Sequence, residues 1–526
     1  MSLKKLSLVV LAGLLAASLS GCGGSGSSSG GSAKTPKDTL VIGTAFESAT
    51  LDPAVSMDNG TWAISYPCYD RLVKYKTDNG KASTEVEASL AESWTASPDG
   101  LTWTFKLKKD AKFPDGTPVD AKAVKFSFDR LMKMKKGPSD YFPTLKTVEA
   151  VDATTVKFTL SKPFAPFLYT LATSGASVIN PKVMEKAKGD DNATAYLAEH
   201  TMGSGAYQLS EWARGQHVTM TANDKYWGKK PSLKKVIFQV IKDASAQRLQ
   251  LEKGDLDIAE GIPVEQTEEL AKNKDIKVGE YPNFLVSYLY VNNQKAPLNN
   301  VKVRQALSYA MDYKAIIDGS VKGKGVPMKG PIPKGMWGYD DSLTGYTTNV
   351  EKAKQLLAES GQKDLTVHLL YSNYKTFWEA EALLIQNSLQ KAGIKCELDK
   401  VAWATLRERV DKGNFEICLG SWTPDFADPY MFMNCWYDSK MFGLSGDRSF
   451  YKNDKVDQLI RQAVEVTDQK QRTDLYRQAQ KIVVDEAGYI LLFQTSTIVP
   501  QRANVKGFVY NPMLDGMFNF EDMSKS

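Results

Sequence analysis

Residues 365–421 alternate between two kinds of pattern. Apolar runs at 365–371, 394–401 and 415–421 are separated by amphipathic stretches at 375–391 and 403–410. Parallel neighbours in a sheet need a long crossover, and a helix supplies it, so strand, helix, strand, helix, strand argues for a parallel sheet. No other segment constrains the architecture as much, and it places the chain in the α/β class. Open α/β sheets bind ligands beyond the carboxyl ends of their strands. The segment after Ser421, Trp422-Thr423-Pro424-Asp425-Phe426-Ala427-Asp428-Pro429, is therefore the first candidate site.

Within it, Asp428 followed by Pro429 reads as an N-cap and a first helical position. Asp425 has no capping role. It stands between a proline and a phenylalanine, with Trp422 before it and Trp436 and Tyr437 after it, and a carboxylate beside aromatics suits a ligand ammonium. A solvated loop aspartate is the competing reading, and the residues alone leave both open. Trp403 opens the preceding helix and reads as core, because large aromatics are buried more often than not. Glu47 lies in a loop after the first strand, five residues before Asp52, and carries no signal of its own.

The remaining pattern is mixed. Leu40-Val41-Ile42 is a short strand, and a helical stretch is expected near Tyr69-Asp70. Residues 101–107 alternate perfectly between apolar and polar, as in a strand with one buried face. Asp115-Gly116 marks a turn, Asp120 caps a helix carrying Val124, Phe128 and Leu131 on one side, and 156–160 is again a strand. Strands follow at 207–209, 217–220, 236–240 and 256–258, with a helix between the last two that is capped by Asp243 and ended by Gly254. Asn300 caps a helix bearing Val303, Leu307, Ala310 and Met311, and Asn349 caps another that stops at Gly361.

The N-terminus sets the compartment. Lys4 and Lys5 precede an apolar stretch at 6–19, shorter than the about 20 residues a membrane span needs, so it reads as a secretory signal. It runs into Leu19-Ser20-Gly21-Cys22, which resembles the lipobox of bacterial lipoproteins. Residues 1–21 are then a signal peptide and Cys22 the lipidated first residue. Residues 22–35 are a Gly/Ser tether spanning on the order of 20 Å. The tether contains a formal G-x-S-x-G at 26–30, but that motif needs a strand before it and a helix after it. Cys68, Cys396, Cys418 and Cys435 remain. Alternation puts Cys396 in the core, Cys418 and Cys435 are close enough in sequence to pair, and all three connectivities stay open.

With 66 basic and 61 acidic side chains in 526 residues and no dense basic run, nothing calls for nucleic acid. Three histidines leave little room for a metal centre, and no cofactor motif occurs.

Several short segments, in order and at consistent spacing, carry a resemblance. They are Leu51-Asp52-Pro53-Ala54, Tyr69-Asp70-Arg71-Leu72-Val73, Leu90-Ala91-Glu92-Ser93-Trp94 running to Asp99-Gly100 and Phe105, and Phe113-Pro114-Asp115-Gly116-Thr117-Pro118-Val119. Further on come Gly205-Ala206-Tyr207, Tyr226-Trp227-Gly228 and Val303-Arg304-Gln305-Ala306-Leu307. Over nearly its whole mature length the chain resembles the extracytoplasmic solute-binding proteins of the peptide/nickel/opine ABC transporter family.

The resemblance implies a two-lobed flytrap of the periplasmic-binding-protein type with an additional α+β subdomain. The pattern changes place lobe I at 36–65, 203–290 and 497–526, its insert at 66–202 and lobe II at 291–496. It implies a monomer that traps a short peptide and delivers it to the permease and ATPase subunits of an importer, anchored by lipid to the outer face of the cytoplasmic membrane. In peptide-binding relatives an acid after a tryptophan takes the ligand's α-amino group. Here that acid is Asp425, three residues after Trp422. Trp403 falls at the spacing of a pocket tryptophan, and Glu47 matches an acid of the first interlobe strand. The arginine that some dipeptide binders use for the ligand carboxylate has no counterpart at 375–391, so the resemblance assigns no carboxylate site.

Two alternatives stand beside this. One is the same fold with a non-peptide solute such as a nickel chelate, an opine or a glutathione-like molecule, of which nickel is disfavoured by sparse histidine. The other is a lipid-anchored peptide hydrolase. That would need a nucleophile, a base and an orienter, yet His200, His217 and His368 are scattered without partners at a telling spacing.

Overall fold

The computed structural model describes residues 35–526 except Asn79 and Lys363. The expected signal peptide at 1–21, Cys22 and the expected tether up to residue 34 lie outside the described residues.

One mixed sheet organises the chain. Its strands run in the spatial order Lys395–Lys400, Thr366–Tyr371, Ile417–Trp422, Ile276–Val291, Tyr489–Arg502, Ile258–Ala259, Thr39–Thr44, Lys235–Val240, His217–Ala222 and Tyr207–Ala213, with Gly325–Pro327 added on Tyr489–Arg502. The first three are parallel, as the alternation of strands and helices requires, with Leu369 opposite Ile417 and Thr366 opposite Lys395. Helices Trp378–Lys391 and Trp403–Asp411 make the two crossovers. Ile417, Cys418, Leu419 and Gly420 are all buried, as befits a strand covered on both faces.

Two long antiparallel strands, Ile276–Val291 and Tyr489–Arg502, join the two ends of this sheet. Ile258 pairs with Gln501 at one end of the ribbon, and Val286 pairs with Trp422 at the other. Between them the register breaks from Pro282 to Val286. Proline has no N–H to give a ladder, so a break is expected there. Side chains close the gap. Thr495 Oγ1 donates to Asn283 Oδ1 at 2.6 Å, Asn283 Nδ2 donates to Thr497 Oγ1 at 2.9 Å, and Gln494 Nε2 donates to the Asn283 carbonyl at 2.7 Å. The two halves of the sheet are thus joined where regular backbone pairing is suspended.

The insert holds a four-stranded antiparallel sheet in the order Ala91–Ala96, Thr102–Leu107, Thr155–Leu160, Leu145–Asp152, under helix Ala121–Met134. Phe128 meets Phe158 and Phe142 edge-on at 5.0 and 5.3 Å between centroids, an arrangement the ring quadrupoles favour. Arg130 of that helix makes a bidentate ion pair with Asp52, both buried. Gly205 lets the insert rejoin the main sheet, since a Cβ there would stand 2.3 Å from the Pro67 carbonyl oxygen. The insert's apolar core continues into that of 291–496, where Tyr169 stacks on Trp337 at 5.7 Å and Ala165 N–H donates to the Val464 carbonyl. The core around Leu40, Ile42, Tyr207, Met220 and Phe520 is separate.

Four of the five expected caps form as read: the side chains of Asp120, Asp243, Asn300 and Asn349 each accept a first-turn backbone N–H. Three local expectations need correction. The helix expected near Tyr69-Asp70 lies earlier, at Asn59–Ser65, followed by a 3-10 turn with Pro67 in it, and Tyr69 is extended. Asp70 is drawn instead to Ser204, Tyr226 and Trp227, whose side chains donate to its carboxylate. Met311 is extended and ends its helix rather than extending the apolar stripe, although it is fully buried. Cys418 and Cys435 do not pair, and all four described cysteines are free thiols. Cys396 is buried, as the alternation implies.

Candidate functional site

Strand Ile417–Trp422 ends where Pro424 removes a backbone donor, and the chain turns away at the carboxyl end of the parallel trio. That turn is held from beneath. Asp428 is fully buried, and Arg472 Nη1 and Nη2 donate to its two oxygens at 2.8 Å each. Its Oδ1 also accepts the Tyr430 N–H at 2.9 Å, but the cap position of helix Tyr430–Tyr437 falls on Pro429, one residue later than expected, and the ion pair is one that the sequence did not disclose. Trp337 Nε1 donates to the Ala427 carbonyl at 2.8 Å, which fixes the segment's other side.

On this support Asp425 projects into space that water reaches, between protein walls that include Tyr141 of the insert. Crowding by those walls pushes its carboxyl up to about 6, while the Tyr141 hydroxyl acts in the opposite direction. A carboxylate short of compensating charge in a crevice is a receptor for a cation.

The strand's last residue, Trp422, borders a cavity of about 220 Å³ that Trp403 also lines. Trp403 is only partly buried, so the burial-based expectation of a core residue gives way to a wall residue. Its ring stacks on Tyr374 at 4.2 Å and 10°, with Trp378 6.0 Å away. Three cationic side chains, Lys375, Arg407 and Arg448, line the same cavity. Arg448 stands 5.4 Å from the Trp422 ring centroid, and its Nη1 donates to the Tyr290 hydroxyl at 2.8 Å.

Glu47 is not in that cavity. It is exposed, pairs with Lys242 at 3.1 Å, and lines a separate cavity of about 250 Å³ beside strand Thr39–Thr44. Glu260 and Asp515 line this second cavity too. Burial pushes Glu260 up to about 8 against the effect of the Thr44 hydroxyl, and burial likewise raises Asp515. The structure thus brings Trp403 and Trp422 together, sets Asp425 just beyond them in the chain, and places Glu47 apart.

Sequence reasoning missed Arg448, Lys375 and Tyr374. Arg448 lies in the irregular stretch between helices Tyr430–Tyr437 and Asp454–Glu465, where no periodicity marks it. Lys375 reads as a first helical residue, but the helix starts at Trp378 and leaves 372–377 as a loop over the cavity. The thiols offer no nucleophile: burial pushes Cys68, Cys396 and Cys435 up to about 12 and Cys418 higher still. Among the described residues, no helix is long and apolar enough to cross a membrane.

A split sheet joined by two crossing strands, with an aromatic cavity at strand carboxyl ends, defines a two-lobed α/β solute-binding protein. The chain belongs to the bacterial extracellular solute-binding proteins of family 5, whose middle-region model matches residues 85–443, and so to the peptide/nickel solute-binding proteins of ABC transporters. It is 51% identical over 493 residues to the probable D,D-dipeptide-binding periplasmic protein DdpA of Escherichia coli, covering 94% of this chain and 95% of that one. The structure of HbpA2 from Haemophilus parasuis superposes with a TM-score of 0.86 at 31% identity, over 93% of this chain and all of that one. The periplasmic binding protein DppA from Helicobacter pylori, solved in complex with the peptide STSA, gives 0.72 at 29% identity, over 93% and 98% of the two chains. This is a family of solute-binding proteins, not of enzymes.

Proposed function

We propose that this protein is the lipid-anchored receptor of an ABC importer for short peptides, with Asp425 taking the ligand's α-ammonium. The observation that carries the reading is Asp425 itself, a raised carboxyl at the carboxyl end of a parallel strand beside an aromatic cavity. The names of two relatives, one assigned D,D-dipeptides and one solved with a tetrapeptide, support a peptide ligand. Trp403 and Trp422 serve as walls, and Glu47 belongs to the facing lobe. Lobe I comprises 36–65, 203–290 and 497–526 with the insert 66–202, and lobe II comprises 291–496. The suspended pairing at 282–286 supports a hinge there. Ligand binding shifts the open/closed equilibrium because the closed form binds better, and the permease reads the closed shape. Cys22 carries the lipid on the outer face of the cytoplasmic membrane, and the protein acts as a monomer.

Titration calorimetry with dialanine, in L,L and D,D forms, tests the assignment. Closure around the ligand would bury the pair, and removing one partner of a buried pair costs about 3–5 kcal/mol. Asp425→Asn should therefore weaken binding by roughly two to three and a half orders of magnitude, and N-acetyldialanine should bind the unmodified protein as poorly. Equal affinity for free and acetylated peptide would refute the role of Asp425.

A further inference from the structure

The cavity of about 250 Å³ in the other half of the sheet has a chemistry of its own. Three parallel strands, Lys235–Val240, Thr39–Thr44 and Ile258–Ala259, end at it, with Val240, Thr44 and Glu260 in its wall. Glu260 thus stands just past a strand's carboxyl end, and its N–H, given to the Gly43 carbonyl at 3.0 Å, fixes it beside the neighbouring strand. Asp515 reaches the same cavity from the C-terminal segment.

No cation answers these two acids. Among the described residues, no lysine, arginine or histidine lines the cavity. Lys242 is taken up by Glu47 at 3.1 Å, and Arg214, over the ring of Trp212, by Glu199 at 3.0 Å. The recorded donors to the two acids are neutral hydroxyls: Tyr510 at 2.9 Å and Thr497 at 3.5 Å for Asp515, and Thr44 for Glu260. Burial raises both carboxyls, and the charge of Asp515 raises Glu260 further. Acids that are crowded in this way are short of positive charge.

A second, independent feature lies in the same wall. Ser48 is only 8% exposed, and its hydroxyl has no hydrogen-bond partner. Most of the remaining wall is apolar, with the rings of Trp212, Phe238, Phe508 and Tyr510 in it. An ammonium on a hydrocarbon stem satisfies all of this at once. Its N–H groups supply donors to the carboxylates and to the stranded hydroxyl, while the rings cover the stem and attract the charge. A cavity of about 150 Å³ accommodates benzene, so this one has room for a ring or short chain together with its ammonium.

We propose that this cavity binds an organic cation, an ammonium on an aromatic or alkyl stem, held by Glu260 and Asp515 at a site separate from Asp425. The cation arrives either as a free amine or as the basic side chain of a peptide ligand, and the chemistry is the same. The inference does not rest on the peptide reading, so either can fail alone.

Calorimetry with phenethylamine and its neutral analogue 2-phenylethanol tests the site on the intact protein and on Glu260→Gln and Asp515→Asn, each variant first checked for a cooperative melting transition. The amine should bind saturably and at least about tenfold more tightly than the alcohol. Each variant should weaken the amine roughly 10- to 100-fold and leave the alcohol within a few-fold, and Ser48→Ala should weaken the amine a few-fold. Equal binding of amine and alcohol, no binding of the amine, or amine affinity that survives both acid variants, as it would if the amine sat at Asp425, overturns the site.

Saturating dialanine separates the two sources. Phenethylamine that binds alongside dialanine with unchanged affinity upholds the site as one for free amines. Alanyl-lysine that binds at least about tenfold more tightly than dialanine, loses that gain in Glu260→Gln and displaces phenethylamine upholds it as a receptor for the ligand's side chain. Dialanine that does not bind at all fails the peptide reading, and the comparison of amine with alcohol, which uses no peptide, still decides the site.

Discussion

The raised carboxyl of Asp425 makes binding depend on pH in a way that an ordinary aspartate would not. In the ligand-free protein the surrounding walls push the group up to about 6 by desolvation. Only its ionised form pairs with an ammonium, so the apparent affinity is the intrinsic one multiplied by the ionised fraction. That fraction is about ten elevenths at pH 7 and about one eleventh at pH 5, so affinity for dialanine should fall roughly tenfold between them. An aspartate at its usual value near 3.9 would lose less than about a tenth of its ionised form over the same interval. The sign is fixed: binding strengthens as pH rises through 6 and levels off above it. Calorimetry at half-unit steps from pH 5 to 7.5 reads the profile directly, with Asp425→Asn as the control, which should be weaker and flat. An unmodified protein with equal affinity at pH 5 and 7 refutes the argument. So does a slope that persists in Asp425→Asn, because another group, such as Glu521 raised by burial to about 7, would then be titrating. The ligand-free protein supplies a second check. A carboxyl whose pKa is raised by folding destabilises the fold as pH rises from about 4 through 6, so Asp425→Asn should raise the melting temperature at pH 7.5 and leave it unchanged at pH 3.5.

Arg472→Met should destabilise the protein by about 3–5 kcal/mol in urea titrations, because it strands the fully buried Asp428, and pairing it with Asp428→Leu should recover part of that loss. A single variant as stable as the unmodified protein would show that the pair does not hold the site segment. Cys22→Ala should move the protein from the membrane to the soluble fraction, and retention in membranes would refute the anchor. Small-angle scattering should show a smaller radius of gyration with saturating dialanine, and an unchanged radius would count against closure.

The fold was most legible where its determinants are local. The strands and helices between residues 365 and 421 were set by hydrophobic period and by the crossover that parallel strands need, and the observed boundaries fall within about three residues of the expected ones. The four side-chain caps were legible for the same reason, since an Asp or Asn and its first-turn N–H are neighbours in sequence. What local pattern did not reveal was pairing across distance. Nothing near Asp428 points to Arg472, 44 positions away, and nothing near Asp52 points to Arg130, 78 positions away. The misplaced helix near Tyr69 belongs with these, because Asp70 answers to Ser204, Tyr226 and Trp227, which no local window contains.

The site divides along the same line. Asp425 stood out because its position after a strand is a topological fact and its lack of a capping role is a local one. Burial frequency alone makes Trp403 a core residue and only the resemblance puts it in a pocket, because its stacking on Tyr374 in a cavity wall depends on where the loop at 372–377 passes. Arg448 carries no sequence signal at all. Its significance comes from what is missing around it, an acid, and that absence is a property of sixteen residues drawn from five separate stretches of chain. A cluster of unpaired donors therefore becomes visible only after the whole chain has folded, whereas a single exposed acid at a strand end is visible beforehand.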